Sequence, residues 1–160
     1  MSHSFLLVDF ENVRELALAK LSPEWSVRIF VGRSQNHIPF ALTEEAQKLG
    51  ERLQWIKIQG DGRNNLDFHL AYYLGTLSAG HPAASFFILS NDRGFDALIA
   101  HLLEKKVACK RVGAFAELLV SKPKRTATAP KPKPSTPVPK PKPAAAGLEA
   151  KAARPRAGER

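Results

Sequence analysis

The sequence predicts an α/β fold: one Rossmann-like domain on a parallel five-stranded sheet, strand order 3-2-1-4-5, with helices on both faces. Three observations predict it. Short apolar runs alternate with stretches of helical periodicity along residues 1–120, and continuous apolar runs suit strands buried on both faces. The connections are short, and right-handed crossovers then restrict the topology to doubly wound sheets. Finally, only the first 120 of the 160 residues can build a core, which is about one ordinary domain.

The elements follow in order. Phe5-Leu6-Leu7-Val8 is the first strand. Val13, Leu16, Ala17, Leu18 and Leu21 recur at helical spacing and predict a helix that Pro23 ends. Val27, Ile29, Phe30 and Val31 form a second strand, stopped by Gly32. Residues 40–50 read as a helix closed by a C-terminal glycine. Leu53 to Ile58 is the third strand, and Gly60-Asp61-Gly62 a loop. A strong helix is expected over 65–79, with Leu66, Leu70, Tyr73, Leu74 and Leu77 on one side. Phe86-Phe87-Ile88-Leu89 is the most apolar strand, 95–104 another helix, Val107-Ala108-Cys109 a last short strand, and 114–120 a short helix.

Charge divides the chain at Val120. Residues 1–120 hold 13 Lys and Arg against 13 Asp and Glu, whereas residues 121–160 hold 11 against 2, the whole of the +9 net charge. The same 40 residues hold 9 of the 12 prolines and no aromatic residue. They are expected to form a disordered Lys/Pro/Ala-rich basic tail, read either as a solubilising extension or as an electrostatic tether for nucleic acid. The lone Cys109 excludes a disulfide scaffold and, in an apolar strand, reads as an inert core thiol. No apolar run approaches the ~20 residues that span a bilayer. Asp9 interrupts the first apolar run, so no signal-peptide core is seen and a cytoplasmic location is expected.

In open α/β sheets, ligands bind beyond the carboxyl ends of the strands, where strand order reverses. Asp9, Glu11 and Asn12 follow the first strand, and Ser90, Asn91, Asp92 and Asp96 follow the fourth; Asp67 lies near the start of the third helix. In the order 3-2-1-4-5, Asp9 and Asp92 face each other, and Asp67 reaches the same mouth. Converging carboxylates repel and lose solvation, and a divalent cation relieves both penalties. All-oxygen donors suit Mg²⁺ or Mn²⁺ rather than zinc. Such ions activate water and steady a phosphoryl transition state, which points to phosphodiester hydrolysis. Each acid also has a structural reading: Asp92 as a turn or cap residue, Asp96 and Asp67 as first-turn acids, Asn12 as a helix N-cap.

Three blocks carry a resemblance. Leu7-Val8-Asp9-Phe10-Glu11-Asn12-Val13 resembles the opening motif of the PIN-like and NYN nuclease families. Asn64-Asn65-Leu66-Asp67-Phe68-His69-Leu70 and the apolar residues after it are similar to their central helix motif. Leu89-Ser90-Asn91-Asp92-Arg93-Gly94-Phe95-Asp96 looks like their third motif. The blocks stand in the family order and span about residues 4–112. The resemblance implies a PIN-type fold and metal-dependent cleavage of RNA, often single-stranded. Carried over by position, it implies that Asp9, Asp67 and Asp92 are the principal metal-binding acids and Asp96 an additional one. Asn12 and Ser90 would orient an acid or the water. Gly94 stands where the NYN pattern is often acidic, with Asp96 one helical turn on.

Arg33, Arg63 and Arg93 follow strand two, loop three and strand four, and with Ser90 and Asn91 they are candidates to contact substrate, since guanidinium groups pair with phosphate oxygens. His69 is expected to be a packed or surface histidine, His3 to lie near a frayed terminus, and Phe68, Tyr72 and Tyr73 to be core and helix-face residues. Two rival readings remain: a phosphatase of the haloacid dehalogenase type with Asp9 in its nucleophile loop, and a non-catalytic module that binds nucleic acid or a partner. A homodimer or a restraining protein partner is left open.

Overall fold

A computed structural model describes residues 3–60 and 62–120. Asp61 and the basic segment 121–160 lie outside the described residues. The strands are β1 (Ser4–Asp9), β2 (Trp25–Val31), β3 (Leu53–Lys57), β4 (Ser85–Leu89) and β5 (Ala108–Val112). The helices are α1 (Phe40–Leu49), α2 (Asn65–Gly80), α3 (Phe95–Glu104) and α4 (Phe115–Val120). All strand pairs are parallel and the order is β3-β2-β1-β4-β5, as expected.

β1 is central and every one of its residues is buried. Its alternate side chains supply two cores. Leu6 and Val8 join the core that α1 and α4 cover through Leu42, Ala46, Leu49, Phe115 and Leu118. Phe5 and Leu7 join the core that α2 and α3 cover through Leu66, Leu70, Leu74, Phe95 and Ile99. Each fully buried Leu contributes about 1.5–3 kcal/mol relative to leaving it exposed. The edge strands β3 and β5 are less buried but still serve both cores, Trp55 and Val112 on one face and Ile56 and Cys109 on the other.

The helix expected over residues 13–21 does not form. The Asp9 carbonyl accepts from both Asn12 N (3.3 Å) and Val13 N (3.0 Å), closing a tight turn beyond β1. The chain then runs without a helical ladder, with Ala17 at φ −118° and ψ 65°, and makes only a single 3₁₀ turn at Leu18–Lys20. Val13 and Leu18 are buried and Leu16, Ala17 and Leu21 pack against the same core. The helical spacing recorded which residues are buried, not how the backbone is bonded.

Two smaller expectations also change. His3 is not frayed: its Nε2 lies 3.0 Å from Ser26 Oγ and its ring packs edge-on against Phe5 at 4.7 Å. Of the three aromatic residues on α2, only Tyr73 faces the core, meeting Phe30 at 5.4 Å. Phe68 and Tyr72 are each 69% exposed. Among the described residues no helix is long and apolar enough to cross a membrane.

Candidate active site

Parallel pairing aligns the carboxyl ends of β1, β2 and β4, and the segments leaving them wall a cleft of about 350 Å³. Asp9, Glu11 and Asn12 come from the end of β1, Gly32 to Ser34 from β2, Asn64 to Asp67 from the start of α2, and Asp92 from the loop after β4.

Asp9 ends β1 and is 1% exposed. A buried carboxylate is costly unless its oxygens are hydrogen-bonded, and here both are. Oδ1 accepts from the backbone N–H groups of Glu11 (3.2 Å) and Asn12 (3.3 Å). Oδ2 accepts from Asn12 Nδ2 (2.5 Å) and Ser90 Oγ (2.7 Å). Ser90 is itself fully buried, and its hydroxyl accepts from Asp92 N at 3.0 Å. One serine therefore links the acid of β1 to the acid of β4. Asn12 and Ser90 hold Asp9 in one orientation, with Ser90 beneath the cleft rather than on its surface.

Asp92 is exposed on the cleft wall, and its Oδ1 accepts from Gly94 N at 2.7 Å. The turn role and the cleft position are thus both realised. Asp67, in the first turn of α2, is half-buried. Burial, and then the charges of Asp92, Asp9 and Glu11, hold its carboxyl above the ordinary carboxylate range. Glu11 carried no assigned role in the sequence, although it lies inside the first motif. Its side chain crosses Gly32 so closely that a methyl there would overlap Glu11 Oε1. Only glycine leaves room for it.

Asp96 does not line this cleft. Arg111 of β5 donates from Nε to Asp96 Oδ1 at 2.7 Å, and that hydrogen bond holds the Asp96 carboxyl below its usual range. Arg111 also donates from Nη1 to the Ser90 carbonyl at 3.2 Å. Of the three arginines, Arg33 is on the cleft wall, while Arg63 and Arg93 are exposed and outside it. Asn91 is exposed, and its Nδ2 reaches the Asn12 carbonyl at 3.5 Å. His69 Nδ1 pairs with the Asn65 carbonyl at 2.7 Å, a packing role. Cys109 is buried, and desolvation pushes its thiol up to about 12, so it is inert at neutral pH.

Lys57 is a second residue that sequence reasoning missed. Its ammonium donates to the carbonyls of Gly32 (2.8 Å), Arg33 (3.0 Å) and Gln35 (2.7 Å). All three of its protons are used to fix the loop that carries Arg33 and Ser34 to the cleft. A lysine between two isoleucines in an edge strand gives no such signal, because its partners are backbone atoms of another strand's loop.

A doubly wound parallel sheet with acidic residues gathered at its switch point defines an α/β protein with one polar cleft. Within that class, a family model described as a PIN domain matches residues 3–112. The chain belongs to the PIN domain family. PIN domains are usually nucleases. No curated protein and no solved structure matches the chain.

Proposed function

We propose that the protein is a metal-dependent ribonuclease that hydrolyses phosphodiester bonds in single-stranded RNA. One observation carries this reading: Asp9, Glu11, Asp67 and Asp92 line one cleft, where burial and then the charges of Asp92, Asp9 and Glu11 raise the Asp67 carboxyl. Like charges are gathered there at a cost to the fold, which a bound cation would offset.

Among the described residues no three acids, histidines or cysteines converge tightly enough to hold an ion by themselves. The donor chemistry still fits Mg²⁺ or Mn²⁺. Such ions keep several waters and use one or two carboxylates together with substrate phosphate oxygens. In this reading Asp9, Asp67 and Asp92 would hold the ion, directly or through its waters, together with a substrate phosphate oxygen, and the ion would supply an activated water and offset charge on the phosphate. Ser90 and Asn12 fix Asp9 so that its position does not change on loading. Glu11 and Arg33 stand on the same wall, the first able to take a proton and the second to meet a phosphate oxygen. Asp96 is left outside this chemistry by its pairing with Arg111.

The phosphatase reading fares worse. The second acid of the nucleophile loop it would need is Glu11 rather than an aspartate. Residues 1–120 would form the catalytic domain, in the cytoplasm, and the basic segment 121–160 would raise local affinity for RNA.

A gel assay on single-stranded RNA with Mn²⁺, Mg²⁺ or EDTA tests the proposal. Metal-dependent cleavage should fall by more than about 100-fold in Asp9→Asn and in Asp92→Asn, beyond the usual cost of changing a group that only supports a ligand. Cleavage by Asp9→Asn at the wild-type rate would overturn it, and binding without cleavage in any metal would favour the non-catalytic module. Removing residues 121–160 should weaken RNA binding and flatten its dependence on salt; an unchanged slope would leave that segment without the role.

A further inference from the structure

A second pocket of about 440 Å³ adjoins the acidic cleft and shares Ser34 with it. Its apolar side is Phe10, Ile38 and Pro39; its polar groups include Arg14, Asn36 and His37. Among the described residues no carboxylate lines it. The wall between cleft and pocket is fastened from both ends. Gln35 accepts Gly32 N (3.2 Å) and donates to the Phe10 carbonyl (2.8 Å), while Lys57 holds three carbonyls of the same loop. That wall is therefore preformed, and a ligand need not organise it.

The chemistry of the two neighbours is complementary. The cleft gathers negative charge suited to a cation and the phosphate it carries. The pocket offers apolar walls edged by a carboxamide, an imidazole and a guanidinium. Flat π faces pack on such walls, and ring edges meet such donors and acceptors, which is how unpaired bases are bound. A base within a duplex has its edge occupied and its faces stacked. Arg14 adds a positive charge for the adjoining backbone.

We propose that this pocket receives one unpaired nucleobase of the same single-stranded RNA whose phosphodiester lies in the acidic cleft. The inference rests on the nuclease reading and adds to it a subsite for a base at a fixed distance from the scissile bond. A single-strand requirement follows, because only an unstacked base can enter.

The test uses the full chain and two sets of short oligoribonucleotides. One set carries the fluorescent base 2-aminopurine at a single position, moved stepwise, and is bound in EDTA. The other carries one abasic site, moved likewise, and is cleaved in Mn²⁺. One position should respond in fluorescence, and loss of the base there should lower kcat/KM by about 10-fold, as loss of one stacked base does. In Asn36→Ala/His37→Ala, both exposed positions, the penalty at that position should shrink while cleavage of the abasic RNA stays as in wild type. An equal penalty in variant and wild type, or equal penalties at all positions, would overturn the pocket and leave the nuclease standing. A fluorescence response at one position, lost in the variant, without cleavage in any metal would retain the pocket and remove the nuclease. Concentration-dependent dimerisation that the variant weakens, with no fluorescence response, would give the pocket to a second copy of the chain and overturn the proposal.

Discussion

Over β1 and β4, the carboxylates of Asp9, Asp67, Asp92 and Glu11 share one cleft, and Asp67 is held above its usual range by burial and then by the charges of the others. Over β5, Asp96 stands only four residues beyond Asp92, yet Arg111 at 2.7 Å holds it below its usual range. Residue type and position after a strand are nearly the same in the two regions. What separates them is the register of the neighbouring strand. Arg111 of β5 lies opposite Ile88 of β4 and reaches Asp96 in α3's first turn, whereas the neighbours over β1 are themselves acids. A carboxylate matched inside the chain completes the fold. One surrounded by like charge is left unmatched by the fold, and on the proposed function a cation would match it.

The comparison breaks most sharply at Ser90. Ser90→Ala removes the donor that binds Asp9 and the acceptor that holds Asp92 N. Cleavage should fall about 10- to 100-fold, as when a group supporting a ligand is lost. Denaturant unfolding should show a loss of about 1–3 kcal/mol, the cost of depriving a buried acceptor of its partner. Activity at the wild-type level would mean that Asp9 needs no such support. Gly32→Ala acts next. The new methyl displaces the Glu11 carboxylate, the mobile end of a long side chain, so stability should change little. Its kcat should match that of Glu11→Ala; a normal kcat in Gly32→Ala beside a low one in Glu11→Ala would show that Glu11 works from another position.

Asp67 sharpens the contrast through pH. A carboxyl raised above its unfolded value favours the folded state only while protonated. That contribution is complete below the ordinary carboxylate range and disappears as pH rises through the raised value. In EDTA at neutral pH, Asp67→Asn should therefore raise Tm, on the order of 1–3 °C because the group is half-exposed. The gain should vanish in acid, and Mg²⁺ should narrow it by stabilising wild type alone. A Tm lowered at neutral pH would contradict the electrostatic account. Asp96→Asn should have the smallest effect, leaving cleavage within about threefold. A loss as large as that of Asp92→Asn would place Asp96 with the cleft acids after all.

Much of this was legible in the sequence, for identifiable reasons. The runs Phe5–Val8 and Phe86–Leu89 are buried on both faces, so their apolar continuity marked the two strands that flank the switch point. Asp9 directly after such a run could hardly escape the cleft. Residues 13–21 misled because a chain pressed on one side against a core buries residues at intervals that imitate a helix. Asp96 misled because its partner is on β5, and a sequence does not display which side chain lies across a sheet. Glu11 was in view, but its value depends on Gly32 of another strand. Lys57 was invisible because every one of its partners is a carbonyl.

The central place of β1 has a consequence for how the domain is made. Its partners arrive at very different times: β2 follows closely along the chain, but Ser90 is 81 residues from Asp9. Until β4 emerges, a nascent chain presents one flank of a strand whose Phe5–Val8 stretch is apolar, with its N–H and C=O groups unpaired, an invitation to intermolecular pairing. Docking of β4 closes that flank and, in the same step, brings Ser90 onto Asp9. The pairing that seals the sheet is therefore also the one that completes the acidic centre, and a chain that stops short of β4 lacks both Ser90 and Asp92.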